Sequence, residues 1–456
     1  MSIIKAYIWD LDGTLLDSYG SIVSSLVDVS RECGVQDSRE EIMKAVKQGT
    51  VTGYLRNLSE RTGKDNDFLY QRYRETSHER LNEIGLVPGA VETLEALRSA
   101  GARHFVYTHR GRSTGQLLDR LGLTRFFEEI VTFEYGYQPK PSGDGVNYLV
   151  EKYGLDRNET AYVGDRSLDV ACAVDAGVIA VLYLPEGACV QPTGEEDMVI
   201  QTLEELTEEM SAPEIRMLEK LAARAHEALE TIRYDGWLLR FAEGYTGRSN
   251  SVGILLPSRT DLNEKVDYCE KCYRERNLPC MFKLTDADAA LGVLLKSRGY
   301  QESKPTDVMT AALHGTAFPD IPVVFSEKPS EEWLRSWFAF EGMKDESGLE
   351  IFRRILEKAG ARACYAAVMP DGKIAACAAS AAEKGYALIQ YVVVDPEYRR
   401  RGLGRAVCQA LMAEAEQNGV KTAYLQVMQN NPAAISLYSS LGFRKAYTYR
   451  YFVKQT

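Results

Sequence analysis

The stretch Asp10-Leu-Asp12-Gly-Thr14 constrains this chain more than any other feature of its sequence. It follows an apolar run over residues 3–9, which predicts a buried strand. Side chains alternate along a strand, so two aspartates two positions apart face the same way at its end. One carboxylate can then attack a phosphorus atom while the other transfers a proton. The motif therefore indicates chemistry at the carboxyl end of a strand.

The size and charge of the chain exclude several classes of protein. Its 456 residues predict more than one domain, and its net charge of −11 argues against a protein that coats nucleic acid. No apolar run reaches the roughly 18 residues that a membrane span requires, and the start of the chain does not resemble a signal peptide. Nine scattered cysteines do not form a disulfide pattern, so we expect a cytoplasmic protein.

Strand and helix signals alternate from residue 105 to residue 182, which favours a parallel sheet covered by helices. The segment 19–84 before them is a long helical stretch that ends ahead of Pro88-Gly89. In such sheets, ligands bind beyond the strand ends. The predicted strands are 105–107, 130–132, 160–163 and 179–182.

Polar groups follow several of these strands. Thr108 offers a hydroxyl to a phosphate oxygen, and Lys140 can neutralise charge on a transferring group. Asp165 and Asp169 follow the strand at 160–163, where their carboxylates can hold a magnesium ion together with the aspartate of the first motif. The sequence therefore places phosphate-binding and metal-binding groups at neighbouring strand ends.

DxDGT, a strand-end threonine, a lysine before proline and GDxxxD, in this order over residues 1–206, resemble the haloacid dehalogenase superfamily. The resemblance implies an α/β fold with a Rossmann-like core, and the helical segment 18–84 is similar to the cap of the phosphoglycolate-phosphatase-like branch. A second aspartate at position 12 favours a phosphatase over a dehalogenase. His109 and Arg110 are candidates for contact with the substrate. A domain that binds phosphate without turnover is the alternative.

The same resemblance implies a role for each motif residue. Asp10 would be the nucleophile that forms an aspartyl-phosphate, and Asp12 would be the general acid and base. Thr108 and Lys140 would hold the phosphoryl group. The Mg²⁺ ligands would be Asp10, the Asp12 carbonyl and Asp165, with Asp169 in support.

A glycine-rich turn follows another predicted strand near the carboxyl end of the chain. The strand ends at Asp395-Pro396, and Arg399-x-x-Gly402-x-Gly404 then leads into a helix over residues 406–417. Such a turn presents unpaired N–H groups to an anion, and its glycines let the backbone approach closely. The turn predicts a pyrophosphate site. A nucleic-acid patch and a solvated arginine cluster are the alternatives.

A second motif, NxxAxxLYxxxGF from Asn431 to Phe443, follows a predicted strand. Together with the RxxGxG turn it resembles the GCN5-related N-acetyltransferase superfamily over residues 322–456, which implies an α+β fold and acetyl-CoA as cofactor. Tyr438 would protonate the departing thiolate, a packed aromatic being the alternative. Glu341 is a candidate base, a solvated glutamate on a helix face being the alternative. The cofactor-binding residues would be Val392, Val393, Val394, Arg399, Arg400, Arg401, Gly402, Leu403, Gly404, Arg405 and Asn431.

Residues 213–315 look like a degenerate copy of the same unit. A shift of 143 positions pairs Asp288 with Asn431 and Leu295 with Tyr438, and both segments predict helix, strand, helix and a Gly-aromatic pair. The first copy lacks the RxxGxG turn and the tyrosine, so we expect a lobe without catalytic groups. Three polar residues of this copy are assigned a structural role in preference to contact with the acceptor: Arg240, Arg248 and Asn250.

The sequence thus predicts a fused, bifunctional enzyme. One part would be a Mg²⁺-dependent phosphohydrolase of a small phosphate ester, and the other an acetyl-CoA-dependent N-acetyltransferase with an amine acceptor. We expect no nucleic-acid or membrane partner, and a monomer or a homodimer. The alternatives are an acetyltransferase whose amino-terminal domain binds a phosphorylated effector, and an acetyltransferase that modifies a protein.

Overall fold

The computed structural model of the chain describes residues 4–207, 212–256, 260–343 and 345–454. The chain divides into two units, Met1–Pro213 and Glu214–Thr456. Among the described residues, none of the helices has both the length and the apolar character needed to cross a membrane.

The amino-terminal unit contains eight described strands. They are β1 (Ala6–Trp9), β2 (Leu16–Asp17), β3 (Gly85–Leu86), β4 (Arg103–Tyr107), β5 (Glu129–Val131), β6 (Thr160–Gly164), β7 (Ile179–Tyr183) and β8 (Met198–Ile200). Six of them form a sheet in the order β5-β4-β1-β6-β7-β8, and β2 pairs with β3 in a separate antiparallel pair. Every pairing in the large sheet is parallel, which agrees with the predicted α/β, Rossmann-like core.

The strand before the first motif lies at the centre of this sheet. β1 pairs with β4 on one side and with β6 on the other, and all four of its residues are buried. After β1 the chain adds β4 and β5 on one side and then crosses over to add β6, β7 and β8 on the other. The carboxyl ends of β1, β4 and β6 therefore meet where the strand order reverses, which is where open α/β sheets bind ligands.

A cap of four helices is inserted between β2 and β3, and four more helices accompany the sheet. The helical stretch expected at 19–84 is interrupted because Ser38, Thr50 and Asp65 each accept a backbone N–H and begin a new helix. The helices are α1 (Tyr19–Glu32), α2 (Arg39–Gln48), α3 (Val51–Thr62), α4 (Asn66–Glu79), α5 (Ala90–Ser99), α6 (Ser113–Arg120), α7 (Asp144–Tyr153) and α8 (Ser167–Asp175).

In its described residues, the carboxyl-terminal unit is built on one mixed sheet of eleven strands. Its strands are β9 (Glu230–Tyr234), β10 (Trp237–Phe241), β11 (Val252–Ile254), β12 (Met281–Thr285), β13 (Tyr300–Ala312), β14 (Val324–Ser326), β15 (Arg362–Val368), β16 (Ala376–Glu383), β17 (Tyr386–Val394), β18 (Thr422–Met428) and β19 (Arg444–Lys454). The helices are α9 (Ala212–Ala225), α10 (Leu262–Arg274), α11 (Ala289–Ser297), α12 (Glu331–Phe340), α13 (Glu346–Lys358), α14 (Leu403–Gln417) and α15 (Pro432–Ser440).

The two predicted copies repeat the same order of elements. α11 and α15 occupy identical positions after the shift of 143, and β11 runs parallel to β12 as β17 runs parallel to β18. The copies exchange their last strands, because β13 pairs with β18 and β19 pairs with β12. One sheet therefore runs through both segments, and the domain limits 1–206, 213–315 and 322–456 stay a prediction. The mixed α+β architecture agrees with the predicted fold class.

Candidate functional sites

Three carboxylates meet at the carboxyl edge of the amino-terminal sheet. Asp10 follows β1, Asp165 follows β6, and Asp169 lies in the first turn of α8. One ligand atom from each lies within 4.8 Å of the others, and all three side chains are buried. Neighbouring parallel strands bring their ends together, so residues far apart in the chain form one cluster.

Lys140 lies among these acids with a fully buried side chain. Its Nζ donates to Asp10 Oδ1 and to Asp169 Oδ1, both at 2.6 Å. Burial opposes the lysine charge, but the two carboxylates outweigh it and raise the pKa of Lys140. Burial raises the pKa of Asp10 to about 7, against the effect of Lys140. Burial acts on Asp169 too, but Lys140 and Arg166 outweigh it and lower the pKa of Asp169.

The cluster suits a divalent cation, because its donors are carboxylate oxygens. Asp10 Oδ2 is buried and has no hydrogen-bond partner among the described residues. Burial raises the pKa of Asp165, although Lys47 and Arg166 partly oppose this effect. A buried carboxylate oxygen without a donor or a cation is costly in free energy. The three acids therefore fit an ion such as Mg²⁺.

The Asp12 side chain has a different partner. Arg110 Nη2 donates to Asp12 Oδ1 at 2.6 Å, and Arg110 Nε lies 3.2 Å from both carboxylate oxygens. Burial raises the pKa of Asp12, but Arg110 outweighs burial and holds it below its usual value. The carboxylate is thus ionised, which is the state that a base requires. The Asp12 carbonyl as a metal ligand stays a prediction.

The turn after β1 brings the backbone close to the carboxylate cluster. Gly13 has φ 86°, and a Cβ there would lie 2.5 Å from Asp165 Oδ2. The N–H groups of Thr14, Leu15 and Leu16 all bond to Leu11 O, so the chain folds back on itself. Only glycine fits at position 13, for steric as well as conformational reasons.

Thr108 and His109 follow β4 at the same edge. Thr108 is buried, and its Oγ1 accepts a hydrogen bond from Arg110 N at 3.2 Å. His109 Nε2 accepts from Lys140 N at 2.8 Å. Burial, with Lys140 and Arg166 nearby, lowers the pKa of His109 to about 3, so the imidazole is neutral and can accept this bond. This hydrogen bond to His109 fixes the backbone at Lys140.

Two cap residues reach the same carboxylates. Lys47 Nζ of α2 lies 3.2 Å from Asp165 Oδ2 and 4.3 Å from the centre of the Tyr19 ring. The Tyr19 hydroxyl donates to Asp165 Oδ1 at 3.4 Å. The sequence did not predict the role of Lys47. A helical pattern predicts which side of a cap helix is apolar, but it does not predict which residues the lysines of that helix contact.

The central strands of the carboxyl-terminal unit run parallel and then part. β17 pairs with β18 only over Tyr386–Ile389 and Thr422–Leu425. A bulge follows, since Tyr391 has φ 59° and the register with β16 shifts between Cys377 and Ala379. The backbone of residues 392–394 is left without a ladder partner on the side of β18. These are the three valines expected along the cofactor.

Residues 399–402 connect β17 to α14 and residues 403–405 begin the helix; we call residues 399–405 together the cofactor turn. Gly402 precedes the helix with φ 79°. A Cβ at Gly404 would lie 3.3 Å from Val394 Cγ2, so glycine lets the helix begin close to the strand. The free N–H groups of the first helical turn and a group of exposed cations suit a phosphate-bearing ligand such as a coenzyme. The exposed cations are Arg399, Arg400, Arg401 and Arg405.

Asn431 begins the helix of the second motif. Its Oδ1 accepts a hydrogen bond from Ala434 N at 3.1 Å, and the side chain is exposed. This N-cap accounts for the residue type at the position, and the expected contact with the cofactor stays a prediction.

Tyr438 lies on α15 and is 9% exposed, with its ring 6.1 Å from that of Phe443. Burial, followed by Cys408 and Glu341, raises the pKa of Tyr438, so the hydroxyl is protonated as an acid must be. Glu341 follows α12 and has an exposed side chain; partial desolvation of its carboxyl raises its pKa, while Arg248 opposes this effect. The candidate base therefore contributes to the raised pKa of the predicted acid.

The polar residues of the first copy differ in their contacts. Asn250 Oδ1 accepts from Ala242 N and Gly244 N at 2.8 and 2.9 Å, and so it holds the loop before β11. Arg240 donates to the carbonyl oxygens of Ala223, at 3.1 Å, and of His226, at the end of α9. Both sets of contacts are structural. Arg248 instead reaches β17, which belongs to the second copy.

Comparisons with known proteins agree with both regions. Residues 7–183 match the family described as haloacid dehalogenase-like hydrolase. Residues 212–452, more than half of the chain, match the family described as probable histone acetyltransferase Rv0428c C-terminal.

Three named relatives are similar to parts of the chain. The phosphoglycolate phosphatase of Agrobacterium fabrum is 32% identical over 183 residues, which cover 38% of this chain and 78% of that protein. The uncharacterized N-acetyltransferase YobR of Bacillus subtilis is 27% identical over 251 residues, which cover 53% of this chain and 99% of that protein. The ribosomal protein bS18-alanine N-acetyltransferase of Escherichia coli K12 is 46% identical over 76 residues, covering 17% of this chain and 51% of that protein.

The predicted fusion is thereby confirmed: the chain is an enzyme that belongs to the haloacid dehalogenase-like hydrolases in its amino-terminal part and to the Rv0428c C-terminal acetyltransferase family over residues 212–452.

Proposed function

We propose that the amino-terminal unit is a Mg²⁺-dependent phosphatase of small phosphate esters that reacts through an aspartyl-phosphate on Asp10. The observation that carries this proposal is the buried cluster of Asp10, Asp165 and Asp169, with Lys140 bridging two of its members. The phosphatase relatives support the reaction class. The cap inserted after the motif supports a small substrate, because it covers the edge where the acids meet.

The positions of these groups suggest a separate role for each of them. Lys140 holds Asp10 Oδ1, which leaves the unpartnered Oδ2 to attack phosphorus. The Asp10 O–P bond forms as the ester O–P bond breaks. A bound Mg²⁺, held by Asp10, the Asp12 carbonyl and Asp165 with Asp169 in support, would neutralise negative charge on the phosphoryl group. Lys140 would add positive charge next to the phosphoryl group, and the Thr108 hydroxyl would donate a hydrogen bond to one of its oxygens.

Asp12 would transfer the proton in both steps. It protonates the leaving alkoxide and then takes a proton from the water that hydrolyses the aspartyl-phosphate. The ionised carboxylate paired with Arg110 has no proton to donate, so the pair has to open and Asp12 has to take up a proton, from solvent or from the monoanionic substrate phosphate, before it acts as an acid. A substrate phosphate competes for the guanidinium through charge-assisted hydrogen bonds, and its arrival would release Asp12.

The test is turnover of para-nitrophenyl phosphate and of a panel of phosphorylated metabolites, with Mg²⁺ and with EDTA. We expect hydrolysis only with Mg²⁺, and a phosphoryl adduct on Asp10 in acid-quenched samples analysed by peptide mass spectrometry. Phosphate binding without turnover of any ester would favour the alternative of an effector-binding domain. Turnover with an adduct on another residue would contradict the assignment of Asp10.

We propose that the carboxyl-terminal unit transfers an acetyl group from acetyl-CoA to an amine. The observation that carries this proposal is the exposed turn at 399–405, which opens α14 beside the point where β17 and β18 separate. The N–H groups and arginines of this turn would bind the CoA pyrophosphate, and residues 392–394 would bind the pantetheine arm.

Transfer then forms a C–N bond and breaks the thioester C–S bond. Tyr438 would protonate the thiolate, and Glu341 would accept the proton that the amine loses.

The test is release of the CoA thiol with acetyl-CoA and a panel of small amines, in parallel with a panel of protein substrates. Acetylation of protein lysines alone would favour the protein-modifying alternative, and tight CoA binding without any transfer would contradict the proposal.

We further propose that both regions act on small molecules in the cytoplasm, without nucleic acid, in a monomer or a homodimer. The net charge of −11 supports the exclusion of nucleic acid. Light scattering after size exclusion measures the oligomeric state, and retention on a heparin column at physiological salt would argue against the exclusion.

A further inference from the structure

The end of α9, in the first copy, lies against the strand on which acetyl transfer is proposed. Gln390 Nε2 of β17 donates to the carbonyl oxygen of Ala225, the last residue of α9, at 3.2 Å. Arg248, also from the first copy, donates to Gln390 Oε1 at 3.4 Å, and its guanidinium lies 5.2 Å from the centre of the Tyr391 ring. The first copy therefore contacts β17 at two consecutive residues, directly before the three valines.

His226 makes the shortest of the contacts between the first copy and this part of β17. Its Nδ1 lies 2.5 Å from the Tyr391 hydroxyl, and the two residues are 1% and 6% exposed. Burial, with Arg248 and Arg240 nearby, lowers the pKa of His226, so the imidazole is neutral. The tyrosine hydroxyl can then donate to Nδ1, while the ring proton on Nε2 faces Thr246 Oγ1 at 3.4 Å. One neutral tautomer therefore gives both ring nitrogens a partner.

The backbone of the histidine is held by the first copy as well. Arg240 of β10 donates to the carbonyl oxygen of His226 and, at 3.1 Å, to that of Ala223. These bonds satisfy carbonyl oxygens that the end of a helix leaves without intrahelical partners. His226 therefore directs its ring towards β17 from a fixed backbone.

Tyr391 has a backbone conformation that a bulky side chain rarely adopts. Its φ of 59° lies in the left-handed region, which is costly for an aromatic residue and persists only where surrounding contacts hold it. Its ring packs among those of Trp333, Trp337 and Phe352, at centre distances of 6.4, 5.5 and 5.1 Å. The ring packing and the hydrogen bond to His226 are contacts that hold this conformation.

The bulge at Tyr391 affects which backbone groups β17 exposes to a cofactor. It lies between Ile389, the last residue of β17 that pairs with β18, and Val392. A bulge inserts one extra residue into a strand, so the direction in which every later group points depends on it. Loss of the bulge would turn the N–H and C=O groups of residues 392–394 away from their present direction.

We propose that His226 of the first copy is a positioning residue for acetyl-CoA: its bond to Tyr391 holds the bulge of β17 and so fixes the backbone that binds the pantetheine arm. The inference rests on the proposed acetyltransferase function and assigns one part of it to the first copy. The first copy then contributes to transfer although it lacks the RxxGxG turn and the tyrosine of the second.

The hydrogen bond is tested in the full chain by Tyr391→Phe, His226→Leu and the double variant. We expect KM for acetyl-CoA to rise about 10-fold in each, as the loss of a buried hydrogen bond implies, with kcat and KM for the amine within about 2-fold. The double variant should lose no more than either single variant, because both substitutions remove the same bond. An unchanged KM for acetyl-CoA in both single variants, or additive effects in the double variant, would overturn the inference.

Two further variants separate positioning from a general loss of packing. His226→Asn places an amide oxygen near the position of Nδ1, so it should restore most of the affinity for acetyl-CoA. Tyr365→Phe is the matched control, because the Tyr365 ring also packs against Trp333 but lies on β15. We expect its KM for acetyl-CoA to stay within about 2-fold.

Hydrogen exchange reports on the bulge without any turnover. Peptides from β17 should exchange faster in Tyr391→Phe than in the unaltered chain, whereas peptides from β10 should exchange at the same rate in both. Faster exchange to the same extent throughout the carboxyl-terminal unit would assign the pair a general structural role and overturn the inference.

Binding of CoA is measured separately by calorimetry, so that the two proposals can fail independently. Binding that weakens about 10-fold in Tyr391→Phe, without turnover of any amine, would support the positioning role while contradicting the transferase function. Turnover of amines with the same affinity for CoA in all variants would support the transferase function while overturning the positioning role.

Discussion

The charged groups of the amino-terminal site are buried, whereas the predicted cofactor turn of the carboxyl-terminal unit is exposed. Lys140 is enclosed between Asp10 and Asp169, and the turn at 399–405 places its arginines in solvent. The difference follows from the chemistry proposed for each. Stabilising a phosphoryl group in transfer depends on charges assembled beforehand in a region of low dielectric. A large cofactor instead needs an open surface with free backbone donors.

The comparison predicts that the two activities respond to separate changes. The largest effect is expected for Asp10→Asn, which removes the nucleophile. Phosphatase activity should fall by at least about 10³-fold, as for other essential nucleophiles, while acetyl transfer stays within about 2-fold. Steady-state rates with para-nitrophenyl phosphate and CoA-thiol release measure the two.

Asp67→Asn is the control for that substitution, because Asp67 is exposed on α4. A parallel loss of both activities in Asp10→Asn would mean that the regions are not functionally separate.

A smaller effect is expected on the stability of the amino-terminal unit in acid. His104 is 1% exposed, its Nδ1 accepts from Trp9 Nε1 at 3.1 Å, and burial lowers its pKa to about 4. In the unfolded chain His104 takes up a proton near pH 6.5, whereas in the folded unit it does so only near pH 4. The free energy of unfolding therefore decreases as pH falls from about 6.5 to about 4. The contribution of His104 to this loss should reach about 3 kcal/mol; His109, with a pKa of about 3, adds to the loss over the same range, and Asp10, with a pKa of about 7, opposes it.

Hydrogen exchange of peptides from β1 and β4, corrected for the intrinsic rate at each pH, measures this loss. In His104→Asn the decline between these pH values should shrink, although the variant is less stable at pH 7.5. An unchanged slope in the variant would contradict the assignment to His104.

Next in size is the effect of Gly404→Val on the cofactor turn. The first added carbon would already lie 3.3 Å from Val394 Cγ2, so the start of α14 has to shift. We expect KM for acetyl-CoA to rise about 10- to 100-fold, since overpacking costs about 1–3 kcal/mol, and phosphatase activity to stay the same. Gly115→Val, in the first turn of α6 with nothing within 4 Å, is the matched control. An unchanged KM would place the cofactor elsewhere.

The smallest effect is expected for Tyr438→Phe, which keeps the packing against Phe443 and removes the hydroxyl. Proton transfer commonly contributes about 10²–10⁴-fold, but a thiol with a pKa of about 8.5 leaves readily, so kcat should fall only about 10-fold. KM for acetyl-CoA should not change. Tyr398→Phe serves as the control, because it removes another tyrosine hydroxyl from a ring that lies 5.0 Å from the guanidinium of Arg401. Equal kcat values in both variants would show that Tyr438 only packs.

The fold and the chemistry of the sites were predictable to different degrees. The order of strands and helices followed from apolar periodicity, and the motif residues followed from DxDGT, GDxxxD and RxxGxG, because these signals are local. The division of the cap into four helices was not predicted, since it depends on single capping side chains such as Ser38 and Thr50.

The partners of the motif residues were also not predictable. Lys47 lies in a cap helix, and no local pattern indicates that it would reach Asp165. Arg110 was expected near a substrate, but its ion pair with Asp12 depends on how two strand ends meet. The contact of Arg248 with Gln390 joins the two copies and depends on the same sheet that exchanges β13 and β19.

The sequence alone indicated most of the elements and the residues that we propose carry the chemistry, because hydrophobic period, turn glycines and motif spacing act over a few residues. The tertiary structure alone decided which charges meet: the enclosure of Lys140 by Asp10 and Asp169, the strand exchange between the copies, and the position of Arg248 beside β17. Such contacts join residues from distant parts of the chain, and only the packing of the sheets brings them within reach of one another.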